Sequence, residues 1–458
     1  MKKKNICKEK KKIKKNKARA YNLNFKQHLS MLRTMIEYTN KLCLAPMVRS
    51  GELPMRLLAL KYGADLVWSP ELVDKKVIQS KRIVNQDLNT IDYISENHQN
   101  PDKKTVILRK HPEESGKLIC QLGSSDPELA VEAAKKVIDD VDGIDLNCGC
   151  PKNFSTHSGM GAELLKTPEI LCSILTNLVE NVGKPKGKPI SCKIRLFNNF
   201  DKSKELIEKI CQTGITNLTI HCRTPIMRNR QDPVWNYLPK LIPIIEKSGV
   251  SLVLNGNFQN KQDLKIIQKA LDNDKLSIMF GEAAEANPSV FSDVPVLQSQ
   301  IIQELYDIST KYYLFQGTKY MMLNMISGKS KYFQTISRTK NFDQMGEIIK
   351  SIKEDKEEKD KLFYILNRDC QKATFLKHDD LPAHLEKRHN MINEFFTSWN
   401  ESTMLNDFDD TPTPKRPTEA QQQQQQPSKR QKKQKKNDNN NNKNSTITND
   451  KPIETIKA

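Results

Sequence analysis

The sequence predicts an α/β chain, a (β/α)8 TIM barrel followed by a smaller all-helical domain, with disordered basic tails at both ends. Three observations carry this. Eight short apolar segments recur between residues 41 and 281, helix-compatible stretches fit between them, and the strand-like segments stop from about residue 296. Eight strands alternating with helices over roughly 250 residues match a closed barrel. A doubly wound open sheet is the alternative, and the count of eight favours closure.

The eight segments are KLCLAP (41–46), ADLVWS (64–69), KLICQLG (117–123), GIDLNCG (143–149), PISCKIR (189–195), NLTIHCR (217–223), SLVLNG (251–256) and LSIMFG (276–281). Helices are clearest at DPELAVEAAKKVIDD (126–140) and DKSKELIEKICQTG (201–214), where Gly214 supplies a stop signal. Farther on, residues 299–328 and 342–367 both read as helices. The resulting division is a tail at 1–35, a barrel at 36–295, a helical domain at 296–400 and a second tail at 401–458.

The net charge of +19 lives in the tails. Residues 1–30 hold twelve Lys/Arg and one acid, and residues 411–458 hold eleven and four. The remaining 51 basic and 50 acidic residues nearly cancel. The final stretch also carries a glutamine run, an asparagine run and a lysine cluster, a composition that cannot bury a core. No stretch approaches eighteen uninterrupted apolar residues, so no membrane span is expected. Ten cysteines without dense regular spacing point to a reducing compartment, cytoplasmic or nuclear.

In a (β/α)8 barrel the chemistry sits at the C-terminal ends of the strands. Unusual polar residues fall at those ends here. Pro46 and Met47 close the first strand and Glu71 follows the second. Gln121 ends the third, Asn147 to Cys150 the fourth, Lys193 and Arg195 the fifth, and His221 and Arg223 the sixth. Asn255, Gly256 and Asn257 end the seventh, and Gly281 with Glu282 the eighth. Together they fit a flat, anionic, redox-active ligand. Lys193 suits a carbonyl that gains negative charge on reduction, the glycines let backbone N–H groups approach a phosphate, and Gln121 and Asn147 suit the edge of a heteroaromatic ring.

The run IDLNCGCPK (144–152) holds two cysteines. Zinc needs four ligands and no second pair matches, while a disulfide across one residue is strained and disfavoured in a reducing compartment. Strand alternation puts Ile144, Leu146 and Cys148 on one side and Asp145 and Asn147 on the other. Cys148 is then a packing residue and Cys150 the exposed thiol, mostly protonated at neutral pH and able to donate a proton. The glycines of the following loop, 152–165, allow either a closing lid or a static turn. A second set, Cys370, His378, His384 and His389, matches no metal-binding spacing and reads as solvent-facing.

LAPMVRSGELPMRLLALKYGADLVWSPELVD (44–74), QLGSSDPELAVEAAKKV, GIDLNCGCPKNFSTHSGMGAELL, CKIRLF, ANPSVF and GTKYMMLNM resemble the tRNA-dihydrouridine synthases, in particular the eukaryotic subgroup that modifies U20 of the D-loop. The resemblance spans about residues 41–330. It implies an FMN-dependent oxidoreductase that uses NADPH to reduce a tRNA uridine to 5,6-dihydrouridine, with the helical domain on tRNA. A monomer is expected. By likeness, Cys150 is the proton donor to C5, opposite a hydride delivered to C6. Pro46, Met47, Val48, Gln121, Lys193 and His221 match flavin contacts. Asn255, Gly256, Asn257, Gly281 and Glu282 match the phosphate loops, and Glu71 and Asn147 match positions near substrate and flavin. No metal is implied.

Two departures stand out. Glu282 replaces an arginine that helps hold the phosphate in relatives, which makes a flavin-deficient RNA-binding or scaffold protein the alternative function. The double-stranded-RNA-binding domain of animal members has no counterpart after residue 330. The lysine-rich tails are then expected to add phosphate contacts to tRNA or to act as a nuclear localisation signal.

Overall fold

The computed structural model describes residues 36–400 and 402, apart from 98–99, 229–230, 362, 368–371 and 377. Apart from Ser402, both predicted tails therefore lie outside the described residues, as does Cys370. All eight predicted strands form: β1 (Leu42–Leu44), β2 (Leu66–Trp68), β3 (Leu118–Gly123), β4 (Gly143–Cys148), β5 (Ile190–Arg195), β6 (Asn217–His221), β7 (Ser251–Asn255) and β8 (Ser277–Phe280). Each is parallel to the next, and β8 pairs back onto β1 through Leu42 opposite Ile278. Closure removes every free edge of the eight.

Period-two alternation sorts the side chains. The outward positions, including Leu44, Leu146, Cys148, Ile194 and Ile220, join the apolar layer under the helices. Inward positions form a separate small cluster of Cys43, Leu66, Trp68, Ile119, Val253 and Met279, interleaved with buried polar residues such as Gln121, Asp145, Ser191 and Thr219. The predicted helices form at Pro127–Val137 and Phe200–Cys211. Asp126 caps the first by accepting from the N–H groups of Glu128 and Leu129, both at 2.9 Å, and Asn199 caps the second.

The region after the barrel is helical, and its elements are shorter than the sequence reading expects. Residues 299–328 contain two helices, Gln298–Tyr312 and Phe315–Met325, because Tyr313 is extended. Gly317 is packed so closely on Tyr313 that a Cβ would fall 2.1 Å from its ring. The helix expected over 342–367 ends at Glu354. The charged run after it offers no apolar stripe, and the β-prone FYILN that follows becomes the strand Phe363–Asn367 of a hairpin with Lys372–Leu376. A three-stranded antiparallel sheet, Lys81–Asn85, Thr90–Asn97 and Asn100–Lys110, is inserted between β2 and β3 and was not anticipated from the sequence. The Tyr93 hydroxyl and Arg82 tie it to Asp140 at the end of the next helix, at 2.5 and 2.6 Å.

One buried ion pair braces the loop after β1. Arg56, on helix Leu53–Lys61, donates to Glu114 Oε1 at 2.6 Å, to the Gly51 carbonyl at 2.8 Å and to the Arg109 carbonyl at 2.7 Å. Arg56→Met leaves the Glu114 carboxylate buried without its cation, so unfolding in denaturant is expected to show a loss of about 3–5 kcal/mol. A loss under ~1 kcal/mol would mean that the pair contributes no more than an exposed one.

Candidate active site

The C-terminal ends of all eight strands open into one cavity of about 340 Å³. The structure brings every residue expected there to its wall: Pro46, Met47 and Val48 after β1, Glu71 after β2, Gln121 on β3, and Asn147 and Cys150 at the end of β4. Lys193, His221 and Asn255 sit on β5, β6 and β7, with Gly256 and Asn257 following and Gly281 and Glu282 after β8. Inward parity and parallel register explain the convergence. Asn147 lies opposite Lys193, and His221 lies opposite both Arg195 and Asn255.

The floor is polar and firmly oriented. Gln121 Nε2 donates to Asp145 Oδ2 at 2.8 Å, and Ser191 donates to Asp145 Oδ1 at 2.7 Å. Burial raises the Asp145 carboxyl to about 6, so it is mostly ionised at neutral pH and accepts both bonds. The Gln121 amide is thereby turned so that its carbonyl oxygen is the group left for the cavity. Burial first, and then Arg195, lower Lys193 to about 7. Burial pushes His221 well below the usual imidazole range, helped by Arg195, Lys193 and Arg223. Its Nε2 lies 3.2 Å from Arg223 Nη1. A guanidinium only donates, so Nε2 accepts and the ring proton sits on Nδ1.

Glu282 meets a cation. Burial lowers the Arg223 guanidinium and the Glu282 carboxylate pulls it back up, so the two charges attract across the rim. Arg195 Nε donates to the Gly149 carbonyl at 2.9 Å and Nη1 to the Thr224 carbonyl at 2.8 Å, joining the loops after β4 and β6.

Cys148 is fully buried among apolar side chains, and Cys150 is partly exposed at the cavity wall. Burial raises the Cys150 thiol, and the nearby Glu71 charge adds to this, so it stays protonated at neutral pH. Asn147 Oδ1 accepts from the N–H groups of Gly149 and Cys150 at 3.0 and 3.1 Å, fixing the turn that presents the thiol. The loop after it is a compact turn. Ala162 N–H returns to the Cys150 carbonyl at 2.9 Å, and Gly161, with φ of 62°, is so close that a Cβ would lie 2.6 Å from that oxygen. Glu71 Oε1 accepts from Ser155 at 2.9 Å, Asn147 and Cys150 also face its carboxylate, and burial raises its carboxyl.

Sequence reasoning missed Tyr320, Glu285 and Phe258, which also line the cavity. Tyr320 comes from helix Phe315–Met325, and the Arg49 guanidinium stands 5.4 Å from its ring centre. Asn324, on the same helix, donates to Glu285 at 2.8 Å. No spacing rule within the barrel could have signalled Tyr320, which is supplied from beyond it, whereas Phe258 and Glu285 follow the ends of β7 and β8 and were within reach of that rule. Asp145 was findable, being a charged residue on the same inward side of its strand as Asn147.

A model of the dihydrouridine synthase (Dus) family matches residues 43–377. The chain belongs to the dihydrouridine synthase family. A Saccharomyces cerevisiae protein whose name, tRNA-dihydrouridine(20) synthase, also specifies NAD(P)+ is 44% identical over 330 residues, covering 70% of this chain and 86% of the relative. A Schizosaccharomyces pombe protein of the same name is 45% identical over 301 residues, 64% of this chain and 61% of the relative. A human tRNA-dihydrouridine(20a/20b) synthase-like protein is 28% identical, covering 65% of this dihydrouridine synthase and 87% of its own length. Among solved structures, a DHODH–ferulenol complex from Eimeria tenella covers 59% of this chain and 82% of that chain at 16% identity and a TM-score of 0.34. No described helix is long and apolar enough to cross a membrane.

Proposed function

We propose that this dihydrouridine synthase reduces a D-loop uridine of tRNA, at position 20, to 5,6-dihydrouridine, with FMN as cofactor and NADPH as reductant. The single observation that carries the reading is a protonated thiol, Cys150, on the wall of a cavity whose floor combines Lys193, His221 and oriented amides. The relatives named as position-20 synthases support the choice of uridine.

The cavity suits FMN by the chemistry of its donors. Met47 and Met279 offer apolar contact to a flat ring, Gln121 offers an acceptor, and Lys193 and the His221 Nδ1–H offer donors. The phosphate end is open where it must be. A Cβ on Gly281 would meet nothing nearer than Ala45 at 3.9 Å, and one on Gly256 would stand 3.5 Å from its neighbours, so both glycines leave room against the backbone. Glu282 is answered by Arg223, which weakens the case for a flavin-deficient scaffold.

FMN, when bound, supplies the hydride that C6 of the uracil receives. Cys150 hands its thiol proton to C5, completing reduction of the C5=C6 bond. Asn147 holds the turn that presents this thiol, and Lys193 offers positive charge to a ring oxygen that becomes anionic. Glu71 lies beside Cys150, and its charge favours the protonated thiol. A stacked base cannot reach the cavity floor, so the target uridine leaves its stack.

The test uses purified full-length protein, NADPH and tRNA lacking dihydrouridine. The expected result is co-purifying flavin absorbance and one new dihydrouridine, at position 20. Flavin-loaded protein that leaves every uridine intact would overturn the reading.

A further inference from the structure

The family match ends at residue 377, and helix Leu381–Thr397 follows it. That helix returns to the barrel and packs beside helix Asp263–Ala270. Arg388 makes the joint. Its side chain is only 5% exposed, and Asp263 is fully buried. Nε lies 2.9 Å from each Asp263 carboxylate oxygen, and Nη2 lies 2.7 Å from Oδ2. Nη2 also donates to the Asn257 carbonyl.

Asn257 belongs to the cavity wall, in the turn that follows β7. Its φ is 63° and that of Gly256 is 133°, so a non-glycine residue is held in left-handed conformation there. Such a residue needs its surroundings to hold it. Asp263 Oδ2 accepts from the Gln259 N–H at 2.8 Å, so one buried ion pair anchors the turn at two points. A second tie sits alongside: Trp399 Nε1 donates to the Asn236 carbonyl at 2.8 Å, and Phe396 and Phe258 each stack on Trp235, at 6.1 and 5.9 Å. The C-terminal helix thus grips the loops after both β6 and β7.

We propose that Arg388 is a positioning residue: through it the C-terminal helix fixes the Gly256–Asn257 turn in the shape that receives the cofactor's phosphate. This rests on the FMN reading above. Cofactor affinity then depends on a segment that lies after the family-matched core.

The test compares full-length wild type with Arg388→Met/Asp263→Asn, which removes both buried charges together and keeps an acceptor for Gln259. FMN affinity is measured by flavin fluorescence, and amide exchange by mass spectrometry. Loss of the preorganised turn is expected to weaken FMN binding by about tenfold or more. Exchange at 256–259 should quicken while that of the barrel strands is unchanged. Unchanged exchange at 256–259 overturns the brace. Faster exchange with undiminished FMN affinity overturns its role in cofactor binding. Should wild type take up no FMN, the cofactor reading and this inference both fall, and the exchange data report whether the brace alone exists. If the double variant does not fold, Arg388→Lys, which keeps the charge but loses the forked geometry, is read on the same two measurements.

Discussion

Cys150→Ala is expected to lower uridine reduction by about 10²–10⁴-fold, the range lost with a positioned proton donor, while flavin content stays at the wild-type level. The thiol lies on the cavity wall, where burial and the Glu71 charge keep it protonated at neutral pH. The measurement is single-turnover reduction of tRNA by pre-reduced enzyme, read as dihydrouridine formed. A wild-type rate in the alanine variant would sink the assignment. The wild-type rate should also fall as pH rises through the Cys150 pKa, which burial places above that of an ordinary thiol, because a thiolate has no proton to give. Lys193 acts earlier in the same direction. Its charge is lost as pH rises through about 7 in the ligand-free site, so affinity for an anionic ligand weakens there. Cys148→Ala, in the apolar layer outside the barrel, should alter stability and leave the rate unchanged.

Gly281→Leu is expected to weaken flavin binding by about 10–100-fold, or ~1.4–2.8 kcal/mol, in a protein that still folds. The φ of Gly281 is −109°, so no left-handed backbone demands glycine there. Its would-be Cβ faces open cavity, with Ala45 at 3.9 Å the only neighbour. A leucine there fills the space where a phosphate would approach the backbone. Flavin titration against a melting curve separates the two effects. Undiminished binding would move the phosphate away from the end of β8.

The agreement between sequence and structure is greatest where the signal is local. The eight strand segments are apolar runs bounded by glycine or polar residues, and each became a barrel strand. The split of Cys148 from Cys150 follows from counting residues along one strand. Where the signal is weak or mixed, the sequence reading overshot. Residues 342–367 looked continuous because charged residues are compatible with a helix, yet residues 355–361 are all charged, so no apolar stripe carries the helix past Glu354. The inserted sheet at 81–110 went unread because its first strand is largely exposed and lacks an apolar face.

By itself the sequence determined the barrel and the polar residues at its strand ends, since apolar runs and their bounds are a property of the chain alone, while Val48 came only through the family resemblance. Only the tertiary structure decided which charges neutralise one another and which distant segments complete the wall. Glu282 is answered by Arg223, the Gln121 amide is turned by Asp145, Tyr320 reaches the cavity from a later helix, and Arg388 reaches the turn behind its wall from another. These are pairings between elements, set by how surfaces pack, and no local pattern encodes them.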